Sequence, residues 1–137
     1  MIGIALLTYG QIGQDMIIAA NHIVGEISKN IETMTIHPYD APEDILAQLT
    51  VKAESLDEGD GVLILSDLYG STHSNIGCRL LETEKIEMVS GLNLPMLMRV
   101  MNYRNKPLKE LVEIASDGGR KGIVIAKHGS SFCITKP

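Results

Sequence analysis

Tyr9 stands where an apolar run breaks into a glycine-punctuated turn, in LLTYGQIG (6–13). Asp67 stands at a similar break after a second apolar run, in GVLILSDLYGSTHSN (61–75), and His73 follows it in the same segment. A carboxylate in such a place can orient a histidine by accepting its ring N–H and fixing the tautomer. An unperturbed phenol titrates near pH ~10, so without a base beside it it is a weak nucleophile at neutral pH. The simpler readings are an aromatic packing residue for Tyr9, a capping or turn carboxylate for Asp67, and a solvated ring for His73. One chemistry is excluded. A phosphoacceptor aspartate needs an acidic cluster after the first strand to hold Mg²⁺, and Thr8-Tyr9-Gly10 occupies that place.

The elements that position these residues alternate along the chain. IGIALL (2–7) is continuous and apolar, as in a strand covered on both faces. Residues 14–27 carry an apolar stripe through Met16, Ala20, Ile23, Val24 and Ile27, and IETMTI (31–36) alternates as a strand. HPYDAPED is a turn in which Asp40 is a candidate cap and Pro42 sits in a first helical turn. Ile45, Leu49, Ala53 and Leu56 make the next stripe. GVLILS (61–66), IEMVS (86–90) and GIVIA (122–126) read as further strands, with 67–75 a polar loop leading into a helix. A helix follows GLNLP (91–95), and another follows Pro107 and ends at DGG (117–119). The tail KHGSSFCITKP reads as a hairpin or arm.

This alternation predicts one α/β domain over residues 1–137: a parallel sheet in order 2-1-3-4 with helices on both faces. The strand 122–126 is expected at an edge, antiparallel or exchanged with a second subunit. Ligands of such sheets bind beyond the carboxyl ends of the strands. Loops 8–13, 37–42, 67–75 and 91–95 reach that edge and bring together Tyr9, His37, Asp67, Thr72, His73 and Asn93. If the first and third strands are neighbours, Tyr9 and Asp67 lie on strands about 5 Å apart. Helix N-termini after Gly10 and Gly70 suit an anion such as a phosphoryl group, and Gly10, Gly13 and Gly70 permit close backbone approach. His22, within a helix, and His128, in the tail, have no evident partner.

Composition narrows the partners. The net charge is −5 without a basic run, which argues against nucleic acid. Cys78 and Cys133 lie far apart in no metal spacing and read as reduced cytosolic thiols. The chain shows neither a metal-ligand cluster nor a nucleotide-binding glycine pattern, so no cofactor is expected. The start MIGIALLTYG lacks the basic region of a signal peptide, and no apolar run approaches the ~20 residues of a membrane span. A cytoplasmic protein that meets a membrane only through a partner is expected.

The segments GIALLTYG, DGVLILSDLYGSTHSN, VSGLNLPML and GGRKGI, in this order, resemble the IIA component of mannose-family sugar phosphotransferase systems. The resemblance implies a flavodoxin-like domain, usually dimeric, in a phosphoryl relay. The carrier HPr phosphorylates a histidine after the first strand. That histidine passes the group to a IIB partner and then to sugar entering through a membrane permease. Asp67 matches the orienting aspartate, and Ser71 and Thr72 match the pair near the phosphoryl group. Two positions depart from the pattern. Tyr9 stands in place of the phosphoacceptor histidine, and His73 in place of a proline. The resemblance leaves two functions open: a transfer protein, altered at residue 9 and with His73 a replacement acceptor, or a regulatory module that docks HPr or another partner without carrying phosphate.

Overall fold

A computed structural model describes residues 1–25 and 29–129, apart from the side chains of Ser71, His73 and Ser74. The elements run β1 (Gly3–Tyr9), α1 (Ile12–Val24), β2 (Ile31–Ile36), α2 (Pro42–Leu56), β3 (Val62–Ser66), α3 (Ser71–Leu80), β4 (Ile86–Ser90), α4 (Leu94–Asn102) and α5 (Leu108–Lys121). The strands form one parallel sheet in the order β2-β1-β3-β4.

The two central strands are buried along almost their whole length because both faces carry helices. Side chains alternate across a strand. Ile4, Leu6, Leu63 and Leu65 therefore meet Ala20 of α1, Leu97 of α4 and Leu111 of α5. Ala5, Leu7, Val62 and Ile64 meet Ile45 and Leu49 of α2 and Ile76 of α3. The expected stripe Ile45, Leu49, Ala53 and Leu56 is the buried face of α2.

Several boundaries differ from the sequence reading. Residues 71–74 are the first turn of α3 and not a loop, so the connection after β3 is only 67–70. Asp40 does not cap α2. Ala41 is the cap, Pro42 opens the helix, and the Asp40 carboxylate accepts the His37 N–H instead. Helix α5 runs through DGG to Lys121, because those glycines let it press on α4: a Cβ on Gly118 would lie 2.8 Å from Arg99 Cβ.

The fifth strand is absent from the sheet of this chain. Residues 123–127 have no strand partner among the described residues, and Ile123, Val124 and Ile125 are 76%, 57% and 73% exposed. The physical reason lies in where α5 ends. Gly122 abuts Pro95 at the start of α4, so the segment leaves from the carboxyl edge and would have to double back antiparallel to reach β4. The hairpin or arm expected for the tail falls mostly on 130–137, outside the described residues, as does Cys133.

Candidate functional site

Neighbouring strands β1 and β3 end side by side, with Leu7 opposite Ser66, and this sets Asp67 beside the end of β1. The Tyr9 backbone N–H donates to Asp67 Oδ2 at 2.9 Å, and the Asp67 N–H reaches the Leu7 carbonyl at 3.3 Å. The carboxylate thus holds the backbone of residue 9. The side chain of Tyr9 is half-buried and packs on the apolar cluster shared with α2 and α3.

The turn after Tyr9 is fixed from two sides. Gly10 adopts φ +55°, a region that favours glycine, and its carbonyl accepts the Thr35 hydroxyl at 3.1 Å. Buried Thr8 accepts the Gly13 N–H at 2.9 Å. Gly13 is the close approach on this edge, since a Cβ there would lie 2.9 Å from Thr8 Oγ1. Open space surrounds Gly10 and Gly70, and Gly70 is ordinary extended backbone at φ −122°.

Neither N-cap residue, Gln11 of α1 or Gly70 of α3, makes a side-chain cap, and in the first turn of α1 the Thr8 hydroxyl takes the Gly13 N–H. The N-terminal N–H groups and dipoles of both helices face the same edge, a setting that attracts an anion. The first turn of α3 carries Ser71, Thr72, His73 and Ser74 and no acidic residue. Thr72 is half-buried; the side chains of Ser71 and His73 are outside those described. His37 is exposed in the β2–α2 turn. Asn93 serves the scaffold: its Oδ1 accepts the Met96 N–H at 2.9 Å, and its Nδ2 donates to the Gly119 carbonyl at 3.0 Å. The Gly91 and Leu92 N–H groups both reach the Ser66 carbonyl at 2.9 Å, which fixes the residue before Asp67.

Sequence reasoning passed over Thr35 and the role of Thr8. The alternation of IETMTI could have marked Thr35 as level with the turn after β1, because Thr8 and Thr35 are partners in the β1–β2 register. A cavity of about 610 Å³ lies elsewhere, between α2 and α3 near Ala53, Asp57, Val62, Leu80 and Ile86. None of the chemical candidates lines it, so the geometry at the carboxyl edge, and not cavity size, defines the site. Among the described residues no group of histidine, cysteine and carboxylate side chains could hold a metal ion, and no helix is long and apolar enough to cross a membrane.

Comparisons with known proteins bear on the family and the fold. A family model described as the fructose IIA component of the phosphotransferase system matches residues 3–115. The mannose-specific EIIAB component of that system from Escherichia coli (strain K12) is 28% identical over 129 residues. The match covers 92% of this chain but 40% of that protein, so the chain spans well under half the length of the curated relatives it matches. Among solved structures, component EIIA from Streptococcus agalactiae superimposes with a TM-score of 0.79 at 25% identity, over 91% of this chain and 97% of that one. The mannose/sorbose-specific IIA subunit from Enterococcus faecalis gives 0.81 at 19% identity, over 94% and 97%, a likeness of fold.

Proposed function

The chain belongs to the fructose IIA family of the phosphotransferase system, the mannose-type IIA phosphocarrier domains, and from that premise we propose that its transfer site is the edge around Tyr9 and Asp67. The observation that carries this reading is the bond from the Tyr9 N–H to Asp67 Oδ2, which ties the carboxylate to the residue where the acceptor would stand. In this reading HPr donates the phosphoryl group and a IIB partner receives it. Sugar enters through a membrane permease, and the chain itself works in the cytoplasm. Gly10, Gly70, Ser71 and Thr72 surround the phosphoryl group, with the N-termini of α1 and α3 behind it.

Tyr9 alters the relay. Transfer from a phosphohistidine to an imidazole breaks one P–N bond and forms another, so it runs in both directions. Transfer to a phenol forms a P–O ester that holds the group. Tyr9 is therefore not a reversible acceptor, and relay is impaired unless His73 takes the group from the first turn of α3. A second reading is favoured by the packing of Tyr9 on the α2–α3 cluster: a catalytically degenerate IIA-like regulatory module that docks HPr or another partner without carrying phosphate. Incubation with labelled phosphoenolpyruvate, enzyme I and HPr separates the two. Acid-labile label supports transfer through His73, acid-stable label points to Tyr9, and no label leaves the binding module.

The chain also acts as a homodimer in this reading. The apolar, exposed segment 123–125 and the outer edge of β4, which pairs only with β3 among the described residues, are suited to exchange between two copies.

A further inference from the structure

Helices α2 and α3 cover the same face of the sheet but are unequal: α2 has 15 residues and α3 has 10. A groove lies between them. Its larger part is the cavity of about 610 Å³ near Ala53 and Ile86, and a second cavity of about 370 Å³ adjoins it through Leu46 and Arg79, which line both. The α2 wall is Pro42, Leu46, Thr50, Ala53 and Asp57, recurring at steps of three and four from the first residue of the helix to its C-cap. This stripe flanks the face that α2 buries on the sheet. At about 1.5 Å per residue it is about 20 Å long.

The groove combines an apolar lining with a charged one. Leu46, Val62, Leu80 and Ile86 supply the apolar part, and Leu46 and Ile86 are only half-buried. Carboxylates outnumber cations around them: Glu43, Glu54, Asp57 and Glu82 against Arg79 and Lys85. Asp57 is engaged by the Gly59 and Gly61 N–H groups and attracts Lys85. Glu43, Glu54, Glu82 and Arg79 are exposed and make no ion pair among the described residues. None of the residues proposed for phosphoryl transfer lines the groove.

We propose that the α2–α3 groove is the docking site for an amphipathic helix of a partner protein, one whose apolar stripe is flanked by lysine or arginine. Such a helix presents apolar side chains at steps of three and four as a ridge that enters a groove between helices. About four turns of it match a groove of about 20 Å, a length that suits a peptide segment better than a compact small molecule. The excess of unpaired carboxylate attracts a cationic partner and gives its binding a dependence on salt. Arg79, where the two cavities join, pairs with a single carboxylate of the incoming helix and sets its register. Docking here is independent of phosphoryl transfer.

Fluorescence anisotropy of a labelled peptide of about 15 residues tests this, with leucine at helical spacing on one face, lysine elsewhere and one central glutamate. It is titrated with the full chain as wild type, Thr50→Arg and Glu113→Arg, each checked for unchanged circular dichroism. Thr50 is half-buried in the middle of the groove wall, whereas Glu113 is exposed on α5, on the other face of the sheet. Wild type should bind the peptide, Thr50→Arg about ten-fold more weakly, and Glu113→Arg within about two-fold of wild type although it changes the net charge more. Glu54→Gln combined with Glu82→Gln, both at exposed positions, should weaken binding about five-fold at low salt and not at high salt. If the two arginine variants lose affinity equally, the attraction is diffuse and the groove is no docking site. If a counterpart peptide with glutamate for lysine binds as tightly, the cationic partner is wrong. Absence of binding to wild type overturns the proposal, and binding of anilinonaphthalene sulfonate that Thr50→Arg abolishes would then assign the groove to a small ligand. A Thr50→Arg chain that self-associates less than wild type would assign it to a second copy.

Discussion

The backbone N–H of Tyr9 donates to Oδ2 of Asp67 at 2.9 Å, so the end of β1 is held by the residue that follows β3. The bond does not depend on which side chain residue 9 carries. Replacing the side chain at residue 9 therefore leaves the carboxylate tied to the same backbone atom, beside the N-termini of α1 and α3.

Gly13→Ala should damage the turn after Tyr9. The new Cβ would lie 2.9 Å from Thr8 Oγ1 and 3.2 Å from Thr33 Cγ2. Overpacking of this kind costs about 1–3 kcal/mol. Urea unfolding should show that loss with an unchanged m-value.

Arg104→Met should destabilise the opposite end of the sheet. The buried guanidinium donates to the carbonyls of Ile2, Lys29 and Asn30, joining the α4–α5 connection to the starts of β1 and β2. Removing the donor from buried carbonyls is expected to cost about 3 kcal/mol, or roughly 10 °C in Tm for a domain of this size. Calorimetry should show it without a change at the Tyr9 edge.

Asp57 should give stability a weak acid dependence. Its carboxyl is held below the usual 3.8 chiefly by the Gly59 N–H, against an opposing effect of burial, with the Gly61 N–H adding to the depression. A depressed folded value favours the ionised form, so this stabilisation is present above the unfolded value and is lost as pH falls below 3.8 through the folded value. The group is only half-buried, so the effect is small. Between about pH 6 and pH 3, wild type should lose slightly more Tm than Asp57→Asn; equal losses would remove this role.

Ile123→Glu combined with Ile125→Glu should prevent self-association, because both side chains are exposed in the single chain. Light scattering should find a dimer for wild type and a monomer of unchanged circular dichroism for the variant. A wild-type monomer at ~100 μM, well above the Kd of a stable dimer, would contradict strand exchange.

Much of the fold was legible because β1 and β3 are continuous apolar runs and α2 carries a clean stripe. The alternation of elements implied a parallel sheet, and the resemblance to a flavodoxin-like domain implied the order 2-1-3-4 that is observed. Segment 122–126 has the composition of a strand but no strand partner among the described residues of one chain, because pairing depends on where α5 delivers it. DGG misled because glycine commonly ends a helix, whereas here Gly118 and Gly119 serve the contact between α4 and α5. At the site, the position of Asp67 beside β1 was readable from strand order. The contacts of Thr35 with Gly10 and of Thr8 with Gly13 were not, because they depend on the β1–β2 register and on the course of the turn.

The most direct test of the account is phosphoryl transfer from HPr to Tyr9→His, measured beside wild type and the double variant Tyr9→His, Asp67→Ala. Asp67 and the N-termini of α1 and α3 are already in place around residue 9. The account therefore predicts acid-labile label on Tyr9→His, at least ~10-fold less on the double variant, and none on Tyr9 of the wild type. A Tyr9→His protein that folds, binds HPr and takes up no label would contradict it.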